Sequence, residues 1–245
     1  MLQLSMCRIQ TMIDLPLNNL AVNNSNGNYV EEGSALQYQE YNGYAAVTPS
    51  TGTAGYNFAG VAWGFFMRPS SAVFVDVLTV PTVSPYTVTL SQSPNNLSAI
   101  TVAVGTAPSN NATLYTQTSG TPTGNEYSIG GLTNQVLTFP STSAGMSFVV
   151  TYSYNLTVLQ AQSFTGDGYI ANPPSNVTNS IGVIQKGIIF TSKFDTSVYW
   201  GNVSSVNLGP NGIFTSGGSG PAVNAIVYAL PNTEVPYLGL NIVIA

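Results

Sequence analysis

The residues of this chain that could do chemistry are few. Its 245 residues include four Lys and Arg, nine Asp and Glu, one cysteine and no histidine. A Ser-His-Asp triad, a Cys-His pair and histidine metal sites are therefore excluded. The single cysteine, Cys7, excludes an internal disulfide, and its apolar surroundings are typical of a buried small side chain. Arg8 is adjacent, but a reactive thiol would also need a base.

Acidic residues are neighbours only at Glu31-Glu32. Adjacent residues of a strand point to opposite faces, so this pair does not form paired catalytic carboxylates, and a solvated turn is predicted. Asp195-Thr196-Ser197 resembles half of an aspartic-protease loop, but the sequence has no second half. Asp167, between two glycines, is a weak basis for a calcium site, and a turn is favoured.

The remaining motifs favour structural roles. Gly217-Gly218-Ser219-Gly220 lacks the Lys-Ser/Thr and the following helix of a phosphate loop, which indicates a flexible hairpin tip. Lys186 and Lys193 lie in no recognisable motif, so a Ser-Lys dyad stays open. Trp63 and Trp200 could join the tyrosines in a sugar- or peptide-binding stripe, but alternation with small residues favours core and subunit-interface packing.

Six N-x-[ST] sequons occur, about as many as chance produces in a chain this rich in Asn, Ser and Thr. They lie at Asn23, Asn96, Asn111, Asn155, Asn176 and Asn202. They would be informative only in a secreted chain, and residues 1–28 do not resemble a signal peptide. We therefore predict no catalytic, cofactor-binding or metal-binding residues, no cofactor and no enzymatic activity.

Composition is more informative about architecture. Charged residues make up 5% of the chain, against about a quarter in typical soluble domains. The four cations are scattered, which argues against nucleic-acid and membrane partners, and no run approaches the ~18 apolar residues of a bilayer span. A surface covered by Asn, Ser, Thr, Gln and Gly has little charge repulsion, and it suits fixed assemblies such as shells, layers or fibres.

The order of apolar segments predicts an all-β chain, since strand formers alternate with short Gly, Pro, Asn and Ser clusters. Residues 1–28 are predicted to form an extended N-terminal arm with a polar end. Residues 29–78 and 159–245 share a style and are predicted to form one β domain. Residues 79–158 alternate cleanly between apolar and polar positions, which predicts a small antiparallel sandwich inserted into a loop of that domain.

This middle segment resembles the immunoglobulin-like β domains of tailed-bacteriophage structural proteins. The resemblance covers about eighty residues. It depends on PYTVTL at Pro85, on VLTF at Val136, and on SAG at Ser143 followed by FVVTYSY at Phe148.

The flanking regions resemble phage capsid decoration, or cement, proteins. The motifs are FAGVA at Phe58, GVIQKGI at Gly182, the segment Gly209 to Thr215 and the strand Ala225 to Leu230. The inserted domain and the longer N-terminal arm depart from the usual pattern of that family.

The resemblance implies a capsid-binding β-barrel or sandwich domain on the outer surface of a virion. There it would bridge neighbouring capsomers. Its partners would be the major capsid protein and further copies of itself, assembled as a homotrimer. The chain would be made in the host cytoplasm. Two alternatives stay open: a receptor- or carbohydrate-binding fibre or spike module, and a surface-layer protein.

Overall fold

A computed structural model describes residues 1–16, 30–41, 44–63, 71–131, 133–157, 160 and 180–244. These residues form an all-β structure without a helix of seven or more residues, which confirms the predicted class. The seventeen described strands are β1 (Arg8–Pro16), β2 (Ala35–Tyr41), β3 (Tyr44–Pro49), β4 (Phe58–Trp63), β5 (Ser71–Thr79), β6 (Thr87–Thr89), β7 (Thr101–Val104), β8 (Leu114–Gln117), β9 (Glu126–Gly130), β10 (Val136–Thr138), β11 (Ser147–Asn155), β12 (Ser180–Thr191), β13 (Val206–Leu208), β14 (Phe214–Thr215), β15 (Ala222–Val223), β16 (Ala225–Ala229) and β17 (Leu238–Val243).

The first sheet joins strands from both ends of the chain, in the order β16-β17-β12-β4-β2-β3, with β1 paired to β12. The long strand β12 is its centre, because β1 lies along one edge while β4 and then β17 lie along the other. Strands β1 and β3, at the two ends of the run β1-β12-β4-β2-β3, contact each other. These five strands therefore form a nearly closed, barrel-like sheet.

The two faces of this sheet bury different sets of side chains. The interior of the barrel holds small and branched residues, namely Val30, Leu36, Val47, Ala59, Ala62, Ile181 and Val183. The outer face of β12, β4 and β17 packs under a small third sheet of order β14-β13-β15. Alternation along β12 makes this division, since Val183 faces inward and Ile184 faces the third sheet.

Two glycines allow the barrel strands to approach one another. Gly60 in β4 has φ +139°, and a Cβ there would lie 2.4 Å from Val183 Cγ1 and 2.5 Å from the Ile184 carbonyl oxygen. Gly187 in β12 has φ +138°, and its Cβ would lie 2.3 Å from the Arg8 carbonyl oxygen. Irregular register occurs beside each, so both positions are bulges that only glycine fits.

The second sheet comes entirely from the chain between β4 and β12. Its order is β5-β11-β7-β8-β9-β10-β6, and β8 and β9 form its one parallel pair among the described strands. Residues from both ends of this path, such as Leu137 and Val150, share one core. The path therefore folds over on itself, with its apolar positions enclosed.

A buried polar network links the ends of that path. The carboxylate of Asp76, on β5, accepts hydrogen bonds from the Ser91 backbone N–H at 2.9 Å and from the Ser91 hydroxyl at 2.6 Å. It also accepts one from the Tyr152 hydroxyl at 2.8 Å, and that hydroxyl accepts the Gln92 N–H at 3.0 Å. Burial and the bond to Asp76 raise the pKa of Tyr152 above its usual range.

Strand pairing shows where the second sheet begins. Strand β5 pairs with β11 over nine residues, from Ser71 opposite Asn155 to Thr79 opposite Ser147. Strand β5 therefore belongs to the second sheet, and the boundary that we predicted from the sequence, at residue 79, lies at the end of this strand instead of before it. The reason is that Ala72 to Leu78 is apolar almost throughout, and periodicity alone does not tell which sheet such a strand joins.

The predicted N-terminal arm is described only as far as Pro16. In that part the chain lies against the first sheet, where Leu2 bridges to Thr191 and β1 pairs with β12. The Met1 nitrogen donates a hydrogen bond to Ser192 Oγ at 3.0 Å. Residues 17–28 lie outside the described residues.

Candidate functional site

Cys7 has the surroundings of a structural thiol. Its side chain is half-buried against the core between the first and third sheets. The Sγ atom donates to the Gln3 carbonyl oxygen at 3.4 Å and accepts the Phe190 N–H at 3.5 Å. Burial raises the pKa of the thiol, although the bond from Phe190 lowers it. Because the effect of burial is the larger of the two, the thiolate, which is the reactive form, is disfavoured.

The acidic pair predicted to lie in a solvated turn is partly enclosed, which corrects that expectation. Glu31 and Glu32 do precede and enter a turn before β2. However, Glu31 forms an ion pair with Lys193, and both side chains are mostly buried, at 18% and 14% exposure. The prediction was wrong because the partner, Lys193, lies in the segment just after β12, and sequence spacing does not reveal this proximity.

Asp195 caps a loop. Its Oδ1 accepts hydrogen bonds from the Ser197 N–H at 2.9 Å and the Ser197 hydroxyl at 2.6 Å, and Oδ2 accepts one from Thr215 at 3.1 Å. Its carbonyl oxygen accepts the indole N–H of Trp200 at 3.0 Å. The carboxylate is therefore occupied by local bonds that organise the chain after β12.

The two lysines, the glycine-rich tip and Asp167 do not come together in one site within the described residues. Lys186 is exposed on β12, whereas Lys193 is held by Glu31. In the glycine tip, Gly220 is buried, and a Cβ there would lie 1.8 Å from the Leu208 carbonyl oxygen, so that end of the tip is tightly packed. Asp167 lies outside the described residues.

The described sequons all lie on the surface. These are Asn96, Asn111, Asn155 and Asn202, and each is exposed. Asn23 and Asn176 lie outside the described residues.

The tryptophans contribute to packing rather than to an exposed stripe. Trp200 is 3% exposed and meets Phe194 edge-to-face, with ring centroids 6.1 Å apart. Trp63 is half-buried against the same core. This agrees with core packing, the favoured sequence interpretation.

A cleft of mixed polar and apolar lining lies where the first and second sheets meet. Two adjoining hollows, each with about 610 Å³ of empty space that includes open solvent, share Ala72, Val73 and Ser192. Lys193 and Asp195 line one hollow and Glu234 lines the other. Lys193 and Asp195 are already engaged by Glu31 and by the Ser197 turn. The first hollow is therefore lined by a mixture of apolar side chains and uncharged hydroxyl and amide groups besides these two charged side chains. Such a lining suits binding of neutral groups more than bond-breaking chemistry.

Two threonines, Thr101 and Thr196, join the first and second sheets beside this cleft. Thr101 Oγ1, on β7, donates to the Thr196 carbonyl oxygen, and Thr196 Oγ1 donates back to the Ala99 carbonyl oxygen at 2.7 Å. Both threonines are buried. Because both threonine side chains are buried and their bonds run in opposite directions, the two bonds fix the loop after β12 against the second sheet.

A second contact between the same loop and the second sheet is exposed. The Tyr199 hydroxyl bonds to the backbone of Ser109, and the Asn111 N–H donates to Asn202 Oδ1 at 2.7 Å. The segment from Asp195 to Asn202 therefore connects the sheets at several points. The sequence interpretation rejected a protease role for Asp195-Thr196-Ser197, because the second half of the motif is missing. In the structure Thr196 bonds to the second sheet, whereas Asp195 and Ser197 bond to each other.

Sequence reasoning missed one surface. Ile226 and Tyr228, on β16, are 70% and 59% exposed. The segment Ala225 to Leu230 is apolar at every position, so alternation gave no sign that one of its faces is uncovered.

Within the described residues, no group of three or more Cys, Asp or Glu side chains could hold a metal ion. The described part of the chain also has no helix with the length and hydrophobicity that a membrane crossing requires. Comparison with family models, curated proteins and solved structures finds no match to this chain.

Proposed function

We propose that this chain is a non-enzymatic structural protein of a virion that decorates the outer surface of a tailed-phage capsid and cements neighbouring capsomers. The observation that carries the proposal is the arrangement of the two larger sheets. The second sheet is inserted between β4 and β12, and it enters and leaves through the adjacent strands β5 and β11. In this proposal it is an immunoglobulin-like domain that projects outward, while the barrel-like sheet lies on the shell.

The surface chemistry supports a fixed position in an assembly. With a net charge of -5 spread over 245 residues, copies of the chain repel one another weakly. Many modest polar contacts, repeated over a lattice, hold a decoration protein through avidity although each contact is weak. The partners in this proposal are the major capsid protein and other copies of this chain, as a homotrimer.

The joined sheets also support the proposal. A projecting domain that rotated freely would transmit little force between capsomers. The buried reciprocal bonds of Thr101 and Thr196 oppose such rotation. Within the barrel-like part, the Glu31–Lys193 ion pair ties the turn before β2 to the segment after β12.

The first test is quantitative mass spectrometry of purified particles from the source that encodes the chain. We expect a copy number comparable to that of the main shell protein. A few copies per particle would instead favour a fibre or spike module with a binding role. Absence from particles would overturn the proposal and favour a surface-layer protein.

The cementing role has its own test. Particles that lack this chain are expected to release their genome at a lower temperature than complete particles, and adding the purified chain back restores the difference. If the two kinds of particle are equally stable to heat, the cementing role is wrong and only a decorating role is left.

A further inference from the structure

The hollow lined by Glu234 has the size and the lining of a small-molecule site. Its empty space of about 610 Å³, open solvent included, lies within the range of about 300–1,000 Å³ that is usual for such sites. Its lining combines Ala72 and Val73 of β5 with Pro236 and Tyr237, which lie just before β17. Both larger sheets therefore contribute apolar surface to it, with a few polar groups among them, as is common where proteins bind small molecules.

Two buried tyrosines at this hollow have no hydrogen-bond partner for their hydroxyls among the described residues. Tyr237 lines the hollow and is 9% exposed, and Tyr154 is 8% exposed and lies opposite Ala72 in the pairing of β11 with β5. Opposite residues of an antiparallel pair project from the same face, so Tyr154 lies beside a lining residue. Buried tyrosines usually bond their hydroxyls, yet neither of these is bonded or sealed from solvent. The Tyr237 hydroxyl is therefore available to a molecule in the hollow.

The charges around the hollow restrict what that molecule is. Burial, followed by the charges that Tyr154 and Glu32 can carry, raises the pKa of Tyr237 to about 12, so the phenol stays protonated and donates. Glu234 is exposed, and its carboxylate has no partner among the described residues. The described lining contains no Lys or Arg, so an anion would meet Glu234 without a neutralising charge. A cation such as an ammonium group only donates, and it would leave the Tyr237 O–H without an acceptor.

We propose that this hollow binds one ring of a neutral sugar, whose hydroxyl groups both donate and accept hydrogen bonds. One sugar hydroxyl accepts the bond from Tyr237, and another donates to the carboxylate of Glu234. The carbon atoms of the ring contact the apolar lining formed by Ala72, Val73 and Pro236. Water also donates and accepts, so a sugar hydroxyl replaces the bonds of a displaced water instead of losing them.

This inference goes beyond the proposed structural function and does not rest on it. The hollow lies between the two larger sheets, so binding needs the whole chain, unlike binding by a module confined to residues 79–158. The copy number in particles and the binding of sugar by the purified chain are separate measurements. Failure of either one leaves the other interpretable.

The experiment is saturation-transfer NMR on the full chain with glucose, galactose and mannose, followed by calorimetric titration of each sugar that binds. We expect at least one of the three to bind, and Tyr237→Phe to weaken that binding about two- to ten-fold, which corresponds to the loss of one hydrogen bond. Tyr127→Phe is the matched control, because it removes a buried hydroxyl in the core of the second sheet that does not line the hollow. It should bind the sugar like the natural chain.

Each sugar is compared with its uronic acid, which differs from it by one carboxylate. The uronic acid should bind several times more weakly, because the Glu234 carboxylate repels it. Binding of none of the three neutral sugars would overturn the proposal. Tighter binding of a uronic acid than of its neutral sugar would also overturn it, and so would unchanged binding by Tyr237→Phe.

Glu234→Ala provides a second variant if Tyr237→Phe does not fold, as judged by circular dichroism. Glu234 is exposed, so the change should leave the fold intact. Its binding of the neutral sugar should weaken by a similar factor, and a folded Glu234→Ala chain that binds as tightly as the natural chain would contradict the proposed site.

Discussion

In the second sheet five of the eleven buried core side chains are aromatic, whereas the barrel interior of the first sheet holds mainly Val, Ala, Ile and Leu. Phe139 and Phe148 stack at 4.5 Å, and Tyr115 meets Phe148 edge-to-face at 4.8 Å. A five-stranded barrel encloses little space, so its strands approach closely, and glycines at the bulges permit this. The stability of the second sheet therefore depends mainly on side-chain packing, and that of the barrel-like first sheet depends mainly on backbone geometry.

Gly60→Ala should give the largest effect, because it attacks the backbone geometry of the barrel. We expect a loss of about 2–6 kcal/mol in the free energy of unfolding, as positive-φ strain of about 1–3 kcal/mol adds to overpacking of about 1–3 kcal/mol against Val183. Urea unfolding followed by circular dichroism measures it. Gly130→Ala in the second sheet is the control, since a Cβ there meets nothing within 4 Å. Equal losses in both variants would remove the contrast between the sheets.

Tyr152→Phe tests the polar network that joins the ends of the second sheet. We expect a loss of about 1–3 kcal/mol, because the Gln92 N–H loses its acceptor and Asp76 loses one donor. The same urea titration measures the change.

The matched control is Tyr127→Phe, whose hydroxyl bond to the Ile100 carbonyl oxygen is long, at 3.4 Å. It should cost less than about 1 kcal/mol. If Tyr127→Phe costs as much as Tyr152→Phe, the Asp76 network contributes no more to stability than the single long hydrogen bond of Tyr127.

Thr101→Val combined with Thr196→Val should affect stability no more than Tyr152→Phe does, but it should have the clearest effect on the coupling of the two sheets. Removing both reciprocal bonds is expected to cost about 1–3 kcal/mol and to separate the unfolding of the two sheets into two calorimetric transitions. Thr79→Val, an exposed change within the second sheet, should keep the natural profile. An unchanged profile for the double variant would mean that the exposed contacts of Tyr199 and Asn202 suffice to couple the sheets.

Most strands of the second sheet could be predicted because each has one buried and one exposed face. Along β11, for example, Phe148, Val150, Tyr152 and Tyr154 are buried, and the polar residues alternate with them after Val150. Strand β5 was harder to assign, since most of its length is apolar on both faces. Its pairing with β11 depends on a contact between residues about 76 positions apart, which local pattern does not encode.

For functional sites the sequence offers exclusions of particular chemistries rather than candidate residues. The absence of histidine and the single cysteine restrict the chemistry without any knowledge of the fold. The positions of Glu31 beside Lys193 and of Thr196 beside Thr101 could not be foreseen. Each pair joins distant segments, and neither has a distinctive residue type or spacing.

The sequence by itself determined the all-β class, the scarcity of chemistry and the weakly charged surface, because composition and period-two alternation act locally at every position. The tertiary structure decided which strands share a sheet, how the sheets are joined and which apolar side chains of the described residues are exposed. Those outcomes depend on long-range pairing. In β16 every residue is apolar, and only its place at the end of the first sheet leaves Ile226 and Tyr228 exposed.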